Sequence, residues 1–111
     1  MMTEGKKAKK ALLLVDDDST FLSVMRRAFE RLDFDVQTAS DDEQAILLAE
    51  KFSFDKAIVD LKLENTSGLS LIPKLKAVSP NINIIVLTGY SSVSTAVEAI
   101  KLGARNYLCK P

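Results

Sequence analysis

The chain has 111 residues, 15 basic side chains against 15 acidic ones, and 47% hydrophobic residues. That is one domain with enough apolar side chain for its own core, and with no net charge to draw it to nucleic acid or an anionic membrane. A single cysteine, Cys109, excludes an internal disulfide; with no histidine the usual zinc sites are excluded too, so any metal is a hard, oxygen-bound ion such as Mg²⁺.

Met1–Lys10 holds four lysines and reads as a disordered basic tail. The apolar run behind it, Ala11–Val15, is too short for a signal-peptide core or a bilayer span, which implies a cytoplasmic protein. That run ends in Asp16-Asp17-Asp18 and reads as a central strand covered on both faces. Asp18, Ser19 or Thr20 can cap the helix that follows, whose inward stripe is Leu22, Met25, Phe29 and Leu32. Phe34–Ala39 alternates like a half-buried edge strand. Ser40-Asp41-Asp42-Glu43 has the spacing of a capping box, opening a helix with Ile46, Ala49 and Phe52 inward.

Lys56-Ala57-Ile58-Val59-Asp60 is a short buried strand ending on a carboxylate. A polar loop reaches Gly68, where a helix with the stripe Leu71, Ile72, Leu75 and Val78 begins. Pro73 inside it predicts a late start or a bend. Ile82–Thr88 gives the strongest strand signal. Ser91 or Ser92 then caps a helix carrying Val93, Ala96, Val97 and Ile100, Gly103 closes it, and Arg105–Cys109 is a fifth strand before Lys110-Pro111. The alternation implies an α/β fold: a doubly wound, flavodoxin-like parallel sheet in the order 2-1-3-4-5, with helices on both faces.

In that order the first and third strands flank the crevice, so Asp16 and Asp17 lie beside Asp60. Three carboxylates together repel one another unless a cation joins them. Asp17 and Asp60, with a backbone carbonyl just past Asp60 and waters, suit octahedral Mg²⁺. Thr88 and Lys110, at the ends of the fourth and fifth strands, offer a hydroxyl and an ammonium to an anion. Together these groups describe a site for a phosphoryl group on a carboxylate.

The residues Val15-Asp16-Asp17, Val59-Asp60 with Gly68 eight later, Leu87-Thr88-Gly89 and Lys110-Pro111 resemble the receiver domains of two-component response regulators, from about Ala11 to Pro111. The segment from Thr88 to Ala104 looks most like the RegA/PrrA-type redox regulators. The resemblance implies that Asp60 is the phosphoacceptor, served by a histidine kinase or a phosphotransfer protein. It makes Asp16, Asp17 and the Lys62 carbonyl the Mg²⁺ ligands with Asp60, Asp17 the more direct. It also makes Thr88 and Lys110 the phosphoryl contacts, and Thr88 and Tyr107 the switch pair that alters the surface of the fourth helix and fifth strand. The domain is then a signalling module and not an enzyme, and itself binds neither nucleic acid nor membrane.

Two departures stand out. Many receivers have proline four residues after the phosphoacceptor, where this chain has Glu64. The chain also stops at Pro111, where the family continues into a fifth helix, so a receiver domain over 11–111 lacks its last helix and leaves an apolar face for a homodimer. Tyr90, two past Thr88, is placed to keep water from the in-line position. Two rivals remain. Leu12–Thr20 also fits a haloacid-dehalogenase phosphatase, with Asp16 as nucleophile and Asp18 as acid. An unphosphorylated, receiver-like interaction module is the other.

Overall fold

A computed structural model describes residues 9–62, 67–89 and 92–110. Strands and helices alternate: β1 (Lys10–Val15), α1 (Ser19–Arg31), β2 (Phe34–Ala39), α2 (Asp42–Lys51), β3 (Lys56–Val59), α3 (Gly68–Val78), β4 (Asn83–Thr88), α4 (Val93–Leu102) and β5 (Asn106–Cys109). The strands form one parallel sheet in the order β2-β1-β3-β4-β5, as expected. β1 takes in Lys10, which the sequence assigned to the tail; residues 1–8 of that tail lie outside the described part. Among the described residues no helix is long and apolar enough to cross a membrane.

The two faces of the sheet divide the core by alternation. Leu13, Val15, Ala57, Val59, Ile84 and Val86 face one way, packed with Ala45 and Ala49 of α2, Leu71, Ile72 and Leu75 of α3, and Ala99 of α4. Leu12, Leu14 and Val36 face α1, meeting Leu22 with Met25 and Phe29 around it. On this second side an apolar groove of about 390 Å³ runs past Leu12, Phe29, Ile58, Ile85, Leu87 and Leu108. Of these, Leu108 is exposed and Ile85 and Leu87 are half-buried.

Several local expectations change. Leu32 is 67% exposed, because α1 ends at Arg31 and Leu32, as C-cap, turns off the stripe. Phe52 is likewise a C-cap and 44% exposed. Asp41, not Ser40, caps α2, accepting the Gln44 N–H at 2.8 Å, while the Gln44 side-chain Oε1 accepts the N–H and hydroxyl of Ser40. The reciprocal pattern is kept but moved one residue on, and Gln44 replaces Glu43 in it. α3 starts at Gly68 without delay, capped by Ser67, and carries Pro73 inside. Ile82 is buried but precedes β4.

The largest change is in α4. Val93, Val97 and Ile100 point to solvent, Val93 at 83% exposure, while Ala99 is fully buried. At about 100° per residue the line Thr95–Ala99–Leu102 lies opposite the expected stripe. α4 therefore has two apolar lines, and the one with the small residue packs, letting the helix sit close to its neighbours.

Candidate functional site

The strand register brings the chemistry together. Val15 pairs with Val59, and Val59 with Val86, so β1 and β3 end level with each other. Asp16 and Asp60 are the next residues, held by Asp16 N–H to Ala39 O at 3.1 Å and Asp60 N–H to Val15 O at 2.9 Å. β4 runs two residues further and pairs Thr88 with Cys109; the N–H of Lys110 then donates to Thr88 O at 2.9 Å. Asp16, Asp60, Thr88 and Lys110 are thus each fixed by backbone hydrogen bonds at or just past the end of a strand.

Asp16 (3% exposed), Asp60 (7%) and Thr88 (0%) are the buried polar residues of the described part. Burying a carboxylate is costly unless it is paired and hydrogen-bonded. Lys110 Nζ supplies the pairing, 2.8 Å from Asp16 Oδ2 and 3.2 Å from Asp60 Oδ2. The other oxygens accept backbone N–H groups, Asp16 Oδ1 from Asp18 at 3.0 Å and Asp60 Oδ1 from Lys62 at 3.3 Å. Burial nonetheless pushes the Asp16 carboxyl above the ordinary aspartate value, against the pull of Lys110 and the Asp18 N–H and with a push from Asp60. Partial burial pulls Lys110 down, but Asp16 and then Asp60 outweigh it and hold the ammonium above its usual value. The cost of the arrangement falls on the buried acid, which is where a cation would relieve it.

Asp17 stays exposed, yet oxygens of Asp16, Asp17 and Asp60 all lie within 4.8 Å of one another. Three hard oxygen donors at that spacing fit a divalent cation of the Mg²⁺ or Ca²⁺ class. Lys62 lies beside them, its N–H on Asp60 and its backbone bridged to Ser67. Asp18 is engaged differently: its carboxylate caps α1 by accepting the Phe21 N–H at 3.0 Å. Tyr107, half-buried on β5, has its phenol pushed up by burial and takes a hydrogen bond from the Ser92 backbone at the start of α4. Glu64, Tyr90 and Pro111 lie outside the described residues.

Gly68 has a geometric reason that spacing alone did not give. A Cβ there would lie 2.2 Å from the carbonyl oxygen of Asp60 and 2.9 Å from Leu61 Cα. Its own N–H donates to Leu61 O at 2.8 Å. Only glycine lets α3 start so close to the acid-bearing backbone. Phe21, which the sequence reading passed over, puts its ring centroid 4.2 Å from Lys110 Nζ. Its signal was a large aromatic side chain one residue out of phase with the Leu22–Met25–Phe29 stripe.

Five parallel strands in this order, with acids ending β1 and β3 and a lysine following β5, define a receiver domain of the two-component response regulators. Residues 12–111 match the response regulator receiver domain, and the chain belongs to that family. It is 41% identical over 104 residues to the photosynthetic apparatus regulatory protein RegA of Cereibacter sphaeroides, covering 94% of this chain and 56% of that protein. With the acid tolerance regulatory protein ActR of Rhizobium meliloti it shares 42% over 102 residues, 92% of this chain and 53% of that one. Among solved structures, a Burkholderia pseudomallei response regulator crystallised with a phosphorylated aspartic acid, a calcium ion and citrate superposes with a TM-score of 0.90 and 45% identity, over 93% of this chain and 61% of that one. The chemotaxis protein CheY4 of Vibrio cholerae gives 0.88 at 25% identity, over 94% and 88% of the two chains. The chain spans about half the length of the curated relatives it matches. The family, its fold and the resemblance to RegA-type regulators are thus as the sequence implied, and neither rival is favoured.

Proposed function

We propose that Asp60 is the phosphoacceptor of this receiver domain, and that Asp16, Asp17 and the Lys62 carbonyl hold Mg²⁺ beside it. The observation that carries this is Lys110 bridging Asp16 and Asp60 across the strand ends, with Asp17 close by. Bound there, a hard divalent cation would keep the three carboxylates ionised together and offset charge on phosphoryl oxygens. An oxygen of Asp60 forms the new bond to phosphorus as the bond to the donor breaks, its electron pair leaving with the donor. Lys110 keeps its hydrogen bond to Asp16 and turns the other toward a phosphoryl oxygen. The Thr88 hydroxyl approaches a second, and that differential contact biases the two states. Tyr107 then repacks, changing the surface of α4 and β5.

The donor in this proposal is a histidine kinase or a phosphotransfer protein, met in the cytoplasm. The domain acts as a switch and not as an enzyme. A second copy is the proposed occupant of the groove past Leu108, which is lined by apolar side chains together with Lys56. The deciding experiment treats the chain with acetyl phosphate and Mg²⁺ and maps the acyl phosphate by mass spectrometry. Asp60 carries the label, and Asp60→Asn abolishes it while the fold persists. A label that survives Asp60→Asn but disappears in Asp16→Asn would overturn the assignment in favour of the phosphatase chemistry.

A further inference from the structure

Lys110 has a third partner besides its two carboxylates. Its ammonium lies 4.2 Å from the centroid of the Phe21 ring, in the first turn of α1. The Lys110 side chain is only 20% exposed, and the ring borders the same small cavity as Asp16 and Asp60. The Phe21 backbone is itself fixed, since its N–H donates to Asp18 in the α1 cap. The backbone that carries the ring is thus anchored to the same acidic turn that supplies Asp16 and Asp17.

The chemistry of the contact matters because the other two partners are acids. A lysine ammonium on a four-carbon stem is a mobile point charge. The hydrogen bond to Asp60 must be given up or redirected when that carboxylate becomes an acyl phosphate. An aromatic face is negative but uncharged, so it attracts the ammonium without competing as a salt-bridge partner for the incoming phosphoryl group. An aliphatic side chain at the same place would strip water from the cation and return nothing. Building on the proposed roles of Asp60 and Lys110, we propose that Phe21 is a positioning residue: its ring face holds the Lys110 ammonium at the site before and after Asp60 takes up the phosphoryl group.

The test changes the electrostatics of the ring while leaving its shape nearly intact. The full chain is made with mono-, di- and trifluorophenylalanine at position 21, together with Phe21→Leu, Lys110→Met and Asp60→Asn. The initial rate of phosphorylation by acetyl phosphate is measured at saturating Mg²⁺: the Asp60 oxygen–phosphorus bond forms, the phosphorus–oxygen bond to the acetyl group breaks, and acetate leaves. Urea unfolding of each chain reports stability separately. The rate should fall stepwise with each fluorine, about three- to tenfold in all, with Phe21→Leu at or below the trifluoro chain. Stability across the fluorinated series should stay level. A rate that does not change with fluorination, alongside a Phe21→Leu loss that follows its stability, makes the ring mere packing and overturns the proposal. A Lys110→Met chain that reacts as fast as the parent, or label that persists in Asp60→Asn, overturns instead the site assignment on which it rests.

Discussion

Replacing Gly68 with alanine tests how tightly the acid-bearing backbone is held. The new Cβ would stand 2.2 Å from Asp60 O, 2.9 Å from Leu61 Cα and 3.0 Å from Asp60 C. All three are main-chain atoms, so no flexible side chain can swing aside, and the contact must open by about 1 Å to reach ordinary packing. Overpacking costs about 1–3 kcal/mol, and a main-chain collision belongs at the upper end of that range. Alanine recovers at most about 1 kcal/mol of helix propensity, less at the first helical residue than inside. The expected net loss is about 2 kcal/mol, roughly thirtyfold in the folding constant. The collision falls on the Asp60 main chain and so disturbs the backbone that carries the carboxylate, and a displacement of about 1 Å at a reacting group can cost about a hundredfold in rate. Urea unfolding at constant m-value and the acetyl phosphate rate read the two effects independently. A Gly68→Ala chain within about 0.5 kcal/mol of the parent and reacting within about twofold of it would refute this account of the glycine.

Asp17→Asn should weaken Mg²⁺ binding more than Asp16→Asn, because Asp16 is already committed to Lys110 and the Asp18 N–H; equal losses in a calorimetric titration would remove that ranking. Asp18→Ala should cost about 1 kcal/mol as a lost helix cap and leave Asp60 labelling intact, whereas loss of labelling in a folded chain would give Asp18 the acid role of the phosphatase alternative. Sedimentation at micromolar concentration should find a dimer, and Leu108→Asp should dissociate it. A cooperative monomer of the parent chain would show that the groove does not pair with itself.

The order of elements and the polar groups at the four strand ends were legible in the sequence because they rest on local rules. Short apolar runs such as Ala57–Val59 and Ile84–Leu87 read as strands from their length and their β-branched side chains. Parallel strands require helical crossovers of fixed hand, and that topology alone sets Asp16 beside Asp60. The side of a helix that packs is not a local property. α4 carries one line through Val93, Val97 and Ile100 and another through Thr95, Ala99 and Leu102, and periodicity weighs the bulkier line more. Tertiary packing chose the line containing Ala99, because a small side chain permits close approach to the sheet and to α3. The cap of α2 was open to the same ambiguity: either Ser40 or Asp41 could begin the helix, and in the folded chain Asp41 takes the Gln44 N–H while Ser40 binds the Gln44 side chain.

The same division runs through the site. Sequence determined which groups stand at the strand ends: the acids of β1 and β3, the threonine of β4 and the lysine after β5. Distances across the crevice were decided only by the folded chain, since residues 94 positions apart meet at 2.8 Å in the Asp16–Lys110 pair. The collision that excludes a Cβ at Gly68 exists only once α3 is seated against the Asp60 backbone. The ring of Phe21 gained a partner in Lys110 only when the first turn of α1 closed over the end of β5. Local chain chemistry fixes the identity and order of the groups at the strand ends; their spacing and their partners come from packing between elements far apart in the chain.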